Sequence, residues 1–417
     1  MPDAASSLRT RCCIVGGGPA GLMLALLLVR AGVPITVLEK HGDFLRDFRG
    51  DTVHPSTLRV MDDLGLLDAF LTRPHDEVRQ LEAVVFGRRV PVADFTRLRG
   101  LPRDFIALVP QWDFLDFLRD EAERHPHFRL LLNTEGLGLV ERGGRVAGVS
   151  ARGPQGPLTV EADLVVACDG RRSVLREAAG MTVRALGAPI DVLWMRLPKA
   201  PGEGNQTGGF VSPGHFMATI DRHDYWQCAY LIAKGGFEAV RERGLEAFRA
   251  EVAAAAPPLA DRVQHIAGWD DVKLLSVAVD RLERWWKPGL LCIGDAAHAM
   301  SPIGGVGINL AVQDAVAAAN LLRAALAAPA VSPERLDPLL AQVQRRRLLP
   351  ARATQAVQVA LQRRVLTPVL QGAPPPGRLP LPLRLLQRWP ALRALPAYAV
   401  GVGLRPERAR GYLPSSV

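Results

Sequence analysis

With 417 residues, of which 48% are hydrophobic and 22% charged, the chain can bury a real core and has the length of two or three domains. Its five cysteines (Cys12, Cys13, Cys168, Cys228, Cys292) form no CxxC pair or zinc-spaced cluster, so buried thiols in a reducing cytoplasm and no metal are expected. The net charge of +9 sits in the tail, where 13 Arg face a single Glu from residue 341 onward, which argues against nucleic-acid binding by the body.

Arg11–Val15 reads as a strand, a glycine turn follows, Ala20–Arg30 reads as a helix and Ile35–Leu38 as the next strand. Arg9 and Arg11 ahead of Leu22–Val29 superficially resemble a signal peptide, but eight apolar residues are too few to span a bilayer. No other segment is expected to reach that length. A helix is expected over Ser56–Leu67, a hairpin over residues 80–92 turning at Gly87, and an amphipathic helix over Gln111–Glu123. Short strands broken by Gly143–Gly144 and Gly153–Gly156 run from Arg129 to Val160, and residues 183–233 read as a separate β-rich layer. A strand at Leu290–Ile293 leads into a long helix from Val306 to Ala328, and prolines punctuate the tail from Gln371 to Pro406. This order predicts an α/β fold with a discontinuous Rossmann-like dinucleotide domain (1–75, 100–182 and 270–345). A β-rich domain (76–99 and 183–269) is inserted into it, and a basic helical segment (346–417) follows.

Three segments carry chemistry. Gly16, Gly18 and Gly21 form a GxGxxG, with Pro19 and Ala20 opening the helix. The first glycine permits the tight turn, the second lets backbone approach a pyrophosphate, and the third lets helix and strand pack closely. Glu39 ends the next strand, placed to accept from a ribose. This much does not separate FAD from NAD. Residues 162–170 form an apolar strand ending in Asp169-Gly170, and residues 290–295 form another ending in Gly294-Asp295, followed by Pro302, Gly304, Gly305, Gly307 and Asn309. Carboxylates at strand carboxyl ends lie where α/β sheets place ligands.

In this order and spacing the motifs resemble the class A flavoprotein monooxygenases of the p-hydroxybenzoate hydroxylase type, over residues 10–345. The resemblance implies the p-hydroxybenzoate hydroxylase-like fold and bound FAD, with NADPH or NADH as transient hydride donor and O2 as oxidant. It implies that Asp295 holds the ribityl chain, that Glu39 with Lys40 holds the adenosine ribose, and that Asp169 and Gly170 lie by the pyrophosphate. Arg49 resembles an arginine near the flavin phosphates, and Gln111 a glutamine touching the cofactor. Gly304 to Asn309, including Gly305, Gly307 and Ile308, would line the isoalloxazine, and Pro302 matches a proline whose carbonyl favours hydroxyl transfer. The implied reaction hydroxylates or epoxidises a hydrophobic aromatic or quinone-like metabolite through a flavin C4a-hydroperoxide.

His54 and His215 are the polar groups to test near substrate, and with Pro302 and Arg49 they make up the candidate catalytic residues; His298 reads as a packed or capping residue. Two alternatives stand beside the oxygenase: a flavin-dependent reductase or dehydrogenase of an isoprenoid or quinone, and a non-catalytic flavoprotein that binds membrane or a partner through its tail. In the tail, Arg384, Arg388 and Arg393 recur on an apolar segment, which suits either peripheral contact with an anionic membrane or a helical cap with its arginines in solvent.

Overall fold

The computed structural model describes residues 6–45, 52–203, 207–222, 224–375 and 377–412. An eight-stranded mixed sheet carries the glycine motif and draws strands from both halves of the chain. Its main path runs Trp286–Lys287, Leu290–Cys292, Gly156–Ala167, Ser6–Val15, Ile35–Leu38, Phe128–Leu131, and Arg145–Gly153 with Glu135–Arg142 extends it from Gly156–Ala167. The first strand is longer than expected, because Ser6 to Thr10 also pair in parallel with Leu158 to Ala162.

The helix Pro19–Arg30 is buried all round from Ala20 to Val29, the mark of a helix covered on every side. It lies against the core helix Gly307–Ala327, which also packs on Pro333–Leu361. The expectation that no later segment reaches membrane-spanning length was wrong. Ile303–Ala327 is long and apolar enough, yet most of it is buried inside the protein, where its Ala and Leu residues pack between helices.

The second sheet has seven strands, in the order Lys273–Leu275, Ile190–Pro198, Tyr225–Ala233, His215–Arg222, Gly208–Ser212, Gln80–Val85, Arg88–Asp94. Its hairpin turns at Phe86 (φ 50°) and Gly87 (φ 76°), the double left-handed turn that matches strand twist. The helix Leu245–Ala255 packs one face of this sheet, through Phe248 and Val252 against Tyr230 and Met217. The other face meets Ile303, Val359 and Leu366, from segments that follow the first sheet in the chain.

Two boundaries differ from expectation. The helix at Ser56–Leu67 splits into Pro55–Asp63 and Leu67–Leu71, because Gly65 adopts φ 68° and ends the first piece. The tail does not begin at residue 346: Pro333–Leu361 runs through that point as one helix. Farther on, the chain returns to the first domain, where Arg408 grips Asp63 (Nε to Oδ2, 2.8 Å) and Tyr412 joins the core.

Candidate active site

Parallel pairing sets the site. Leu38, Val15, Ala167 and Cys292 stand level across four adjacent strands, so the segments beginning at Glu39, Gly16, Cys168 and Ile293 leave the sheet along one edge. This is the carboxyl edge, where open α/β sheets bind ligands.

The glycines there are needed for different reasons. Gly16 has φ 105°, and a Cβ on it would lie 2.4 Å from the Cys168 carbonyl oxygen. A Cβ on Gly21 would lie 2.0 Å from the Gly16 oxygen. A Cβ on Gly18 would meet nothing within 4 Å, so this glycine keeps space open rather than relieving a contact. Leu22 N–H closes the first helical bond, to Gly18, which leaves the Ala20 and Gly21 N–H groups without an intrahelical acceptor. Such a terminus suits a phosphate.

Glu39 is nearly buried and holds the turn itself. It accepts the Gly17 N–H at 2.8 Å, the His41 N–H at 3.1 Å and His41 Nδ1 at 2.7 Å. Lys40 is exposed beside it. Arg49, together with its neighbour Arg46, lies outside the described residues.

At the next strand end, Asp169 Oδ2 accepts the Leu175 N–H at 3.3 Å, while its Oδ1 is buried and has no partner. Burial pushes this carboxyl above its ordinary range, against the pull of its local hydrogen bonds. Gly170 follows at φ 84°. Arg171 Nε donates to Asp295 Oδ2 at 3.1 Å, and Arg176 reaches the Ala296 carbonyl at 3.3 Å, so the two loops are tied together. These two arginines escaped the site assignment, although both follow Asp169-Gly170 within seven residues.

The loop after Asp295 closes on the segment before His54. The Pro302 carbonyl accepts the Gly305 N–H at 3.0 Å, and Thr52 Oγ1 donates to the Gly305 carbonyl at 3.0 Å. A Cβ on Gly305 would strike Thr52 Oγ1 at 2.3 Å, whereas one on Gly307 would stand in open space. Gly307, Ile308 and Asn309 form the first turn of the core helix, so their N–H groups point out of its end. The Asn309 side chain faces protein instead: its Oδ1 accepts from His54 N at 3.0 Å and Thr57 Oγ1 at 2.6 Å. Gln111 opens its helix half-buried, beside the strand Ile106–Leu108 that pairs with Thr52–Val53.

The two histidines part company. His54 lies fully buried between this loop and the tail. His215 sits on the other face of the second sheet, where Nδ1 meets Tyr230 Oη at 2.9 Å and Tyr230 donates to Glu251 at 3.2 Å. The face of the strand His215–Arg222 that meets Ile303 carries Phe216 and Ala218 instead, so His215 points away from the Pro302 loop, against the expectation that set it near substrate.

Residues 9–357 match the family described as FAD binding domain. The 6-methylpretetramide 4-monooxygenase of Streptomyces rimosus is 37% identical over 396 residues, which is 94% of this chain and 92% of that protein. The chain belongs to this FAD-binding family, as a class A flavoprotein monooxygenase. Among solved structures, the anhydrotetracycline hydroxylase OxyS of Streptomyces rimosus superposes with TM-score 0.72 at 24% identity, covering 94% of this chain and 76% of that one. PqsL of Pseudomonas aeruginosa in complex with 2-aminobenzoylacetate gives 0.74 at 23%, covering 88% and 98%. These likenesses establish the fold.

The monooxygenase thus uses FAD, NAD(P)H and O2. Its residues fit the flavin: the space over Gly18 and two helix ends whose first N–H groups lack intrahelical acceptors suit an anionic, multiply accepting ligand. Asp295 would hold the ribityl hydroxyls, the Gly18–Gly21 turn the pyrophosphate, and the Gly307–Asn309 N–H groups the electron-rich ring. When bound, FAD takes hydride from NAD(P)H and activates O2 for transfer of one oxygen atom.

Proposed function

We propose that this monooxygenase hydroxylates a flat, multi-ring aromatic metabolite of the polyketide kind. The observation that carries the reading is a registered row of small residues on the flavin-facing side of the second sheet. Ala83 pairs with Gly209, Gly209 with Ala218, and Ala218 with Ala229, which abuts Trp194. Four strands at their usual spacing make this floor about 14 Å wide. Val85, Val211 and Phe216 rise on one side of it, and Ile220 and Gln227 on the other. Ile303, next to Pro302, packs in the same cluster as Trp194, Phe216 and Ala218, so the floor faces the loop expected to line the flavin. A planar ring system lies flat on such a surface, whereas a single ring leaves most of it uncovered. The activity named for the 37% identical relative, on 6-methylpretetramide, supports the same class.

The test is a comparison of single-ring phenols with three- and four-ring phenolic ketones, scored by stimulated NAD(P)H oxidation, O2 uptake and oxygenated product. Stimulation by the multi-ring set alone supports the reading; equal stimulation by simple phenols overturns it.

A second observation favours peripheral contact with anionic membrane. Leu381, Trp389 and Leu395 stand more than half exposed on the tail helices, beside exposed Arg384 and Arg388. Arg393 is spent elsewhere, donating to the Leu386 carbonyl at 2.9 Å. Apolar anchors with flanking cations suit an interfacial segment. Cosedimentation with phosphatidylglycerol vesicles but not phosphatidylcholine vesicles at low salt is the expected result, and no difference between them refutes the contact.

A further inference from the structure

One buried carboxylate joins the turn that carries Asp295 to the core helix and to Arg347 of the helix that follows it. Asp314 lies on the core helix seven residues beyond Gly307, about 10 Å along its axis. Its Oδ2 accepts the Gly294 N–H at 3.1 Å and His298 Nε2–H at 2.6 Å, and its Oδ1 accepts Arg347 Nε at 2.9 Å. Asp314, His298 and Arg347 are each no more than 1% exposed. Trp285 covers His298, with ring centroids 4.8 Å apart, and Arg347 continues to the Arg405 carbonyl at 3.2 Å.

The geometry at Gly294 shows what this network holds. The Gly294 carbonyl accepts from Ala297 and His298 N–H, both at 2.9 Å, closing a single turn that carries Asp295. Asp314 therefore grips the first and last residues of that turn. Gly294 itself adopts φ 60°, and a Cβ there would come within 3.1 Å of the Ala20 Cβ and 3.4 Å of the Ala311 Cβ. The turn is thus wedged between the helix that follows the glycine motif and the core helix. Burial works to raise the Asp314 carboxyl, but His298 and Arg347 outweigh it and hold it below its ordinary range, so an ionised acceptor faces Gly294.

A buried ion pair is a poor way to gain stability, since well-packed apolar residues do as well; its stronger use is to fix geometry. We propose that Asp314 is a positioning residue of the flavin site: through the Gly294 N–H it fixes the Asp295 turn relative to the N–H groups that open its own helix. Arg347 neutralises the carboxylate, and residues 405–407 hold Arg347 from behind.

Two double variants test this, D314N/R347M and D314L/R347M. Each removes both members of the Asp314–Arg347 pair, so neither leaves the guanidinium buried without its carboxylate or the reverse. Asparagine keeps an acceptor for the Gly294 N–H and leucine does not. The FAD Kd of the refilled apoprotein should be roughly tenfold higher or more for the leucine variant. The gap should close when Asp295→Ala is added to both, because the bond then has nothing to position. Equal FAD affinity in the two double variants overturns the proposal, and so does a gap that Asp295→Ala leaves intact, which marks a merely structural role. Should the leucine protein fail to fold, D314A/R347M takes its place by the same readouts: an FAD Kd raised above that of D314N/R347M, with a gap that Asp295→Ala cancels, supports positioning, and an equal Kd refutes it.

Discussion

His54 Nδ1 donates to the Val400 carbonyl at 2.8 Å, joining the loop behind Gly305 to the last helix of the chain. The other ring nitrogen, Nε2, is buried with no partner. A proton there would be a buried charge without a counterion, and burial accordingly pushes this histidine down to about 4.

Between the ordinary value of 6.5 and about 4, the unfolded chain binds a proton that the folded chain refuses. Stability from this group is whole above that window and falls as pH drops through it, by about 1.4 kcal/mol per pH unit and roughly 3 kcal/mol in all. The difference in Tm between the parent and His54→Gln should therefore narrow on acidification. A difference constant across the window refutes the assignment.

Gly18 and Gly21 should fail in opposite ways. Gly21→Ala drives a Cβ into the Gly16 carbonyl, so it should destabilise the protein even without flavin, by about 2 kcal/mol or more. Gly18→Ala meets no protein atom and should leave apoprotein stability within about 0.5 kcal/mol. Its methyl group enters the space reserved for pyrophosphate, so FAD affinity should fall. Thermal melts of apoprotein and flavin-fluorescence titration separate the two outcomes.

Asp295→Ala removes a carboxylate whose only described bond is to Arg171, with both side chains about a third exposed. Exposed pairs of this kind are worth about 1 kcal/mol or less, so the apoprotein should melt almost normally. FAD should nevertheless be lost on desalting. Retention of the yellow colour through gel filtration would deny Asp295 its ribityl role.

Ala218→Leu and Ala229→Leu raise the floor of the proposed substrate surface without touching the glycine turns. For a multi-ring substrate KM should rise about tenfold, the loss expected when a side chain takes up one to two kcal/mol of contact. FAD content should be unchanged. Unaltered KM in both variants would place the substrate elsewhere.

The flavin edge was legible because its constraints are local. A glycine with φ 105°, a carboxylate at a strand end and an apolar strand each leave a short-range mark. The two faces of the second sheet were not legible. Helix Leu245–Ala255 covers one side and the flavin elements the other, so alternation along His215–Arg222 could not say which parity faced which. The tail misled for a related reason. Arg345, Arg346 and Arg347 look like one solvated run, but Arg347 is buried by its pairing with Asp314, 33 residues earlier. Thr52 and Thr57 belong to no motif; only the closure of Gly305 and Asn309 upon them gives them a place.

The pairing of Arg347 with Arg405 and of His54 with Val400 also joins widely separated stretches of the chain. A ribosome delivers the glycine turn first and these closing contacts nearly four hundred residues later. Until then the buried guanidinium and imidazole lack their carbonyl partners, and the core helix keeps an open flank. The wall behind the Gly305 loop is therefore built from both ends of the described chain, and a protein lacking residues 400–405 would leave the buried imidazole of His54 and guanidinium of Arg347 without these acceptors.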